Sequence, residues 1–460
     1  MKQSVLFASI VLFIAIGAGC TQESLDPQNS SINGDKITLR VSAVTKSQEV
    51  PGGIGTKISY GSTDATWEAG DKIFLIKSDG TTIILTLSSG AGTSVGTFTS
   101  TDPVAAGSYI PYAVSATSLS KGYVSIAEGQ ITLDLTAGGG GTLADALEHN
   151  ILKGNTVTLT ENQTTATIEN LTTHILSYLR FQFTAEAKAI STIGVSSAGG
   201  INQTVTIATN GAVTGSNPTT SAINVTAGDN GANTYAGYIA VYGSTSTSLV
   251  AHAEDAEGGK YSRLISTKTA NYVAGKVYGK SFTLSNDMMN AAATGTLSDK
   301  SWKNLGLSVK WAEFNVGSTS EYSYDRNVGN EESESAVPSD WAGWRLPTRA
   351  EMEELFYVSN RQWVTGTNNG VKFNCNGSYL AMGAGGYYRW RDDGNEWSYG
   401  IGETVYTYID EITSGGVNGN VRVWAVISNS GTSLGYGSSN LGNNKFYFGN
   451  TATMRLVCDY

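Results

Sequence analysis

The densest group of chemically versatile side chains is the run Tyr387-Tyr388-Arg389-Trp390-Arg391-Asp392-Asp393-Gly394-Asn395-Glu396-Trp397, preceded by Gly385-Gly386. Aromatic faces stack on sugar rings, while guanidinium and carboxylate groups orient hydroxyls. Tyr387, Tyr388, Arg389, Trp390, Asp392, Asp393 and Trp397 therefore form a candidate small-ligand site. The same run also suits a core built on Tyr387, Trp390 and Trp397 beside a solvated turn at Asp392, Asp393 and Glu396. The acids and Asn395 are oxygen ligands of the kind calcium takes, but they follow no recognised calcium-loop spacing, and no metal site is assigned. Cys375 and Cys458 are open to two readings, a long-range disulfide in an oxidising compartment or two buried thiols. His149, His174 and His252 are not spaced for zinc, and His174 lies in an apolar run that suits a core or interface histidine. No Gly-x-Ser-x-Gly elbow occurs, and the glycine run 138–141 is not followed by the Lys-Ser or Lys-Thr of a phosphate loop. The expectation is a protein without catalysis and without a cofactor.

The elements that must position these residues follow from composition and period. The chain has 460 residues and a net charge of −10, room for two to four domains, three being expected. That charge excludes nucleic acid as a partner, because phosphate binding needs a dense basic face. Glycine is abundant and proline scarce, and Thr, Ser, Val, Ile and Tyr fill short runs, which is the composition of strands and turns. Period-two segments bounded by Gly, Ser, Asn or Asp predict strands over 37–44, 57–60, 72–77, 82–87, 108–113 and 130–135. Residues 143–147 read as one helical turn or a loop. Strands are predicted again over 156–160, 165–169, 177–184, 204–208, 222–226, 235–242, 248–254, 261–266 and 277–284. Beyond the N-terminal apolar run, only residues 349–358 look helical. The pattern is mainly β and is best met by two β-sandwich domains, 37–150 and 151–285. A polar stretch, 286–300, reads as a linker. Eight of the nine tryptophans follow it, so 301–460 is expected to form a third domain with its own core.

At the N-terminus, Lys2 precedes an apolar run from Val5 to Ile16 that closes on Gly17-Ala18-Gly19-Cys20. The run is shorter than the roughly 20 residues of a membrane-spanning helix and ends on small residues, as an export signal does. It resembles a bacterial lipoprotein signal, although Gly17 stands where the lipobox prefers Leu. The resemblance implies a signal peptide over 1–20, lipidation of Cys20, a flexible tether over 21–36 and a body held at the outer membrane through the lipid.

Three phrases occur in order through the first two predicted domains. They are Trp67-Glu68-Ala69-Gly70-Asp71-Lys72-Ile73, then Thr173-His174-Ile175-Leu176-Ser177 with Leu179-Arg180-Phe181, then Ala274-Gly275-Lys276-Val277-Tyr278. Together they resemble the fimbrillin-like lipoproteins of the Bacteroides group. That resemblance implies two fimbrillin-like β-sandwiches and partner subunits joined by strand donation. A protease specific for arginine or lysine would cut after the first strand, and a neighbour's strand would fill the groove so opened. Arg40 and Lys46 are candidate cut sites, with Lys57 a third, although Arg40 falls inside the predicted first strand.

Four further phrases lie beyond residue 301: Leu307-Ser308-Val309-Lys310-Trp311-Ala312, Asn315-Val316-Gly317, Trp344-Arg345-Leu346-Pro347-Thr348-Arg349-Ala350-Glu351, and Met454-Arg455-Leu456-Val457-Cys458. They resemble the Fibrobacter succinogenes major paralogous domain, which implies a C-type-lectin-like α+β domain related to formylglycine-generating enzymes. Those enzymes carry two active-site cysteines that bind copper. Cys458 lies instead in a closing core strand, and oxidase chemistry is not expected. Thr348 with Glu351 makes a capping box ahead of a helix. The whole resemblance implies a cell-surface fimbrial tip or accessory subunit that presents an adhesive domain, with a glycan or protein as receptor. The alternative is a free-standing surface lipoprotein that binds polysaccharide and belongs to no pilus.

Overall fold

The computed structural model describes residues 36–42, 67–93, 95–127, 129–136, 138–160, 163, 165–168, 171, 173–245, 248–267, 270–320, 337–365, 370–383, 387–390, 396–399, 404–412, 419–427, 434–437, 451–452 and 455–460. Across them the chain is mainly β, with several sheets and a few short helices.

Nine strands form the first sheet. Their order is Thr165–Ile168, Lys36–Ser42, Val95–Pro103, Thr82–Ser89, Lys72–Lys77, Gly107–Val114, Ile151–Lys153 and Thr173–His174, with Val157–Leu159 also on Gly107–Val114. Lys72–Lys77 is buried through its centre because both its faces meet cores. Ile73 and Leu75 pack with Leu85, Phe98 and Ile168, while Phe74 and Ile76 pack with Tyr112, Ile131, Leu133 and Val205. A strand covered on both sides reads as a continuous apolar run, as Ile73-Phe74-Leu75-Ile76 does. Lys36–Ser42 lies inside this sheet, antiparallel to Val95–Pro103 and parallel to Thr165–Ile168.

Strands on either side of residue 150 share structure. Gln130–Asp134 pairs with Val124–Ala127 and with Ile201–Ile207, which in turn carries Val213–Thr219. Gly139–Gly140, part of the glycine run, pairs with Thr234–Val241. An open strand edge is satisfied by whichever edge lies nearest in space. Here the two halves lend strands to each other.

The second pair of sheets encloses its own core. Ser177–Ala185 runs antiparallel to Thr234–Val241 and parallel to Val277–Leu284, and the facing sheet is Ile223–Thr226, Ile190–Ser197, Leu249–Asp255 and Lys260–Ser266. Leu179, Phe181 and Phe183 pack against Ile193, Val195 and Ala251. The alternation of strand side chains puts these residues on the two inner faces.

Residues 286–300, expected as a linker, are ordered secondary structure. A short helix, Asn286–Asn290, is capped by Ser285 Oγ, which accepts from Met288 N at 3.3 Å. Met288 and Met289 are buried in the second core. The strand Thr294–Leu297 then hairpins into Lys300–Lys303, which leads the sheet on to Lys310–Ala312 and Val457–Cys458. The polar composition hid the paired methionines' role, which is to cover the end of the sandwich.

The C-terminal part is docked on that sandwich. Ser262 N donates to Gly306 O at 2.9 Å, and Arg263 Nη1 donates to Gly306 O at 3.2 Å. Ser262 Oγ donates to Asn376 Oδ1 at 3.2 Å, and the Tyr460 ring, whose OH is held by Asn304 Oδ1 at 2.7 Å, packs on the second core. Gly306 has φ +67°, and a Cβ there would lie 2.1 Å from Lys260 O. Gly306→Ala is therefore expected to destabilise the docked state by about 1–3 kcal/mol. Faster hydrogen exchange at the Ser262 amide is the expected readout; unchanged exchange and an unchanged melting midpoint would refute this account of the contact.

Candidate functional site

The phrases that stood out in the N-terminal half build turns and strand junctions. In Trp67-Glu68-Ala69-Gly70-Asp71, the Asp71 carboxylate accepts from Glu68 N at 2.8 Å and from Ala116 N at 2.8 Å, tying its own turn to the start of the helix Ala116–Ser120. Trp67 meets the edge of Phe98 with ring centres 4.8 Å apart. The second and third phrases, about a hundred residues apart in sequence, meet in space. Gly275 N donates to Leu176 O at 2.7 Å and Tyr178 N to Lys276 O at 2.9 Å, which starts the parallel pairing. His174 is fixed through Nδ1 by Asn150 Oδ1 at 3.1 Å, and a Cβ on Gly275, whose φ is +78°, would lie 3.1 Å from its ring. His174 is thus a packing residue at this junction.

Beyond residue 301 the four phrases converge on one scaffold. Arg455 is fully buried and donates to the carbonyls of Ala312, at 2.9 Å, and of Glu313 and Ala381, so one guanidinium ties the closing segment to two sheets. Arg345 grips Glu351 with both ends of its fork, at 2.9 and 2.7 Å, and reaches Asp459 at 2.7 Å. The same Glu351 accepts from Thr348 N at 2.7 Å while Thr348 Oγ1 accepts from Glu351 N, completing the predicted capping box of the helix Arg349–Val358. Bidentate, charge-assisted contacts of this kind fix geometry as well as adding energy. Glu354, nearly buried in that helix, accepts from Ser308 N at 2.8 Å, which anchors the first phrase to the helix.

The aromatic run is a β-hairpin. Tyr387–Trp390 pairs with Glu396–Tyr399 in the register Tyr387 to Tyr399, Tyr388 to Ser398, Arg389 to Trp397 and Trp390 to Glu396, and its other edge pairs with Thr451–Ala452. Strand alternation places positions 387, 389 and 397 on one face and positions 388 and 390 on the other. The five described members of that group, Tyr387, Tyr388, Arg389, Trp390 and Trp397, therefore stand at positions on two faces of the paired strands. Asp392 and Asp393 lie outside the described residues, as do Cys20, Lys46 and Lys57. Arg40 stands in the middle of a paired strand, opposite Thr97 on one side and Thr167 on the other. A backbone hydrogen-bonded along both edges is a poor protease substrate while folded, which speaks against a cut at Arg40 in the folded chain.

Sequence reading missed a cleft of about 580 Å3 in the C-terminal part, lined by Asp299, Lys300, Phe314, Val316, Asp340 and Trp341 among others. Ser298 and Asp299 have φ of +49° and +60°, the pair of left-handed residues that a type I′ turn needs between Thr294–Leu297 and Lys300–Lys303. Lys300 Nζ lies 2.6 Å from Asp340 Oδ2 and 5.2 Å above the Trp341 ring. The hydrogen bond from Lys300 holds the Asp340 carboxyl below its ordinary pKa. Trp341 meets Trp344 edge to face, and Trp344 Nε1 donates to Leu297 O at 3.1 Å. The phrase Asn315-Val316-Gly317 supplies one wall, but its meeting with residues 299–301 upstream and 338–341 downstream is not written in adjacent residues.

The two cysteines are free thiols in separate core clusters. The disulfide reading gives way to the buried-thiol one, because Cys375 packs beneath the helix Arg349–Val358 while Cys458 pairs with Lys310 on the far side of the closing strand. Burial, then the nearby Glu354 carboxylate, pushes the Cys375 thiol up to about 12, and burial also raises Cys458. Thiolates are the reactive form of cysteine, and both groups are held protonated at neutral pH. His252 sits between two hydroxyls, Ser196 Oγ at 2.7 Å and Ser262 Oγ at 2.9 Å, and His149 stacks on Tyr123 at 3.9 Å. Desolvation pushes both imidazoles down to about 4. Among the described residues there is no group of three His, Cys, Asp or Glu side chains placed to hold a metal ion, and no helix long and apolar enough to cross a membrane.

No family model matches the chain, and no curated protein matches it. Among solved structures, a "putative cell adhesion protein" from Bacteroides ovatus is 13% identical with a TM-score of 0.36, covering 55% of this chain and 93% of its own. The tip fimbrial protein Mfa3 from Porphyromonas gingivalis, with a C-terminal truncation, is 11% identical with a TM-score of 0.30, covering 55% and 96%. The fimbrial anchor protein Mfa2 of the same organism is 11% identical with a TM-score of 0.28, covering 52% and 82%. Likenesses of this size assign no role to any residue of this chain.

Two expected outcomes follow from the titratable groups. With Cys20 replaced by serine, the folded protein at pH 8 should label with a thiol reagent no faster than it unfolds, and both remaining thiols should react in denaturant; rapid native labelling would contradict the burial. His149 is neutral when folded and has a lowered pKa, so its contribution is complete above about pH 6.5 and is lost as the pH falls to about 4. That loss amounts to at most about 3 kcal/mol. His149→Phe keeps the stack on Tyr123 and should flatten the fall in urea midpoint between pH 6.5 and 4; an identical slope would assign the acid sensitivity to other groups.

Proposed function

We propose that this chain is a cell-surface fimbrial subunit of the tip or accessory kind, which accepts a strand from a neighbour and presents residues 301–460 as an adhesive module. The supporting observation is the position of Lys36–Ser42. Its two neighbours, Val95–Pro103 and Thr165–Ile168, do not pair with each other. Loss of that strand would leave two unpaired edges flanking one gap, which an incoming segment can fill with hydrogen bonds on both sides. Lys46 and Lys57 lie in sequence between this strand and Trp67, so a cut at either breaks the covalent link between the strand and the rest of its sheet. Lipidation of Cys20 would hold the uncut chain at the outer membrane until cleavage.

The reading of a tip position draws on the other end of the sandwiches. Val277–Leu284 is paired over its full eight residues with Ser177–Ala185, from Tyr178 opposite Val277 to Ala185 opposite Leu284. A strand used within its own sheet is not available for donation, and the chain continues from it into the docked C-terminal part. Such a subunit accepts and does not donate, which ends a polymer.

Trypsin-like cleavage confined to residues 43–66 should release the first strand and create a site for a stalk subunit's donor segment. The check is a pull-down of stalk subunit by cut and uncut protein. Binding by the cut form only is expected, and Lys46→Gln with Lys57→Gln should abolish it. Failure of the cut form to bind any stalk subunit would reject the assembly mechanism.

A further inference from the structure

We infer that the cleft between Asp299, Phe314 and Trp341 is a binding site for neutral, hydroxyl-rich sugars. The inference rests on the adhesive reading above and gives it a location. A volume of about 580 Å3 falls within the range of small-ligand sites. Phe314, Val316 and Trp341, buried or half-buried, supply its apolar lining, while the exposed Asp299, Asp340 and Thr319 and the half-buried Lys300 supply its polar groups. An apolar lining with acceptors and a donor beside it matches a pyranose, which offers a C–H face and a ring of hydroxyls.

Charge narrows the ligand. Two carboxylates and one ammonium line the cleft, leaving a net negative charge, so acidic sugars meet net repulsion. Lys300 already fills the place a cationic side chain would take, with Asp340 at 2.6 Å and the Trp341 ring at 5.2 Å. A basic peptide would have to displace it. Asp299 is exposed, has no ion-pair partner among the described residues, and is aimed by a turn rather than by a contact. Its carboxylate is free to accept two hydroxyls. Among the described residues of the aromatic run, by contrast, positions 387, 389 and 397 stand on one strand face and positions 388 and 390 on the other.

The test uses the full chain against a panel of neutral oligosaccharides built from hexoses and N-acetylhexosamines, with sialylated and uronic-acid oligosaccharides alongside. Asp299→Asn keeps the left-handed turn, which asparagine tolerates well, and Phe314→Ala removes part of the apolar lining; melting curves report whether each variant is folded. At least a tenfold loss of neutral-sugar binding is expected in both, with no binding of the acidic set. Binding that survives both substitutions, prefers acidic sugars, or is lost instead on Trp390→Ala overturns the assignment of the cleft. Attachment of the full chain to a receptor surface is measured in parallel. Attachment that needs residues 301–460 but ignores both substitutions overturns the cleft and leaves the adhesive reading standing. Attachment that does not need residues 301–460 overturns both.

Discussion

The parallel pairing of Val277–Leu284 along Ser177–Ala185 is the constraint on which most of the molecule turns. Eight consecutive registered pairs complete the sheet of the second sandwich and supply Leu284 to its core. The pairing begins where Gly275 and Leu176 share a hydrogen bond, against His174. It ends where Ser285 caps a helix that drops Met288 and Met289 into the same core. Parallel strands need a long crossover between them, and here the whole facing sheet supplies it. Everything beyond residue 285 leaves the sandwich in a direction set by this strand.

That direction explains why the C-terminal part is docked and not hung on a flexible connection. The chain emerges beside Lys260–Ser266, and Ser262 and Arg263 are satisfied by the carbonyl of Gly306. The closing segment returns across more than 140 residues, where Arg455 binds three carbonyls and Tyr460 reaches Asn304 and the sandwich core. A buried guanidinium is costly unless its donors are met by acceptors, so this arginine specifies one arrangement of its neighbours. Arg345 does the same at the surface by joining Glu351 to Asp459. The phrases around Arg345, Glu351 and Arg455 are therefore scaffold, while the hairpin turn at Ser298-Asp299 and the phrase Asn315-Val316-Gly317 help to shape a cleft.

Legibility in the sequence followed the locality of the cause. Lys72–Lys77, Val277–Leu284 and the helix Arg349–Val358 were readable at their observed bounds, since an apolar period or a capping box is written in adjacent residues. Val95–Pro103 was not, because Phe98 is its one large buried side chain and its other residues are small or polar. It is a strand because Thr82–Ser89 and Lys36–Ser42 need neighbours. The glycine run 138–141 was given no strand, and Gly139–Gly140 pairs with Thr234–Val241 because no side chain keeps the backbones apart. The polar stretch after residue 285 looked like a linker for the opposite reason, that its two methionines have meaning only beside a core assembled from strands spread over residues 179–284.

By itself, the sequence determined a mainly β body, its punctuation into strands, the capped helix near residue 350 and a charge unsuited to nucleic acid. These depend on side-chain period, turn chemistry and net charge, which neighbours in the chain settle among themselves. Tertiary structure alone decided which strand lies inside the first sheet, that the last strand of the sandwich is spent within its own sheet, and that two cysteines sit in separate cores. It also divided the aromatic run between two faces of a hairpin and assembled a cleft from Asp299, Phe314 and Trp341. Those outcomes rest on hydrogen bonds and packing between residues tens to hundreds of positions apart, for which a linear pattern carries no register.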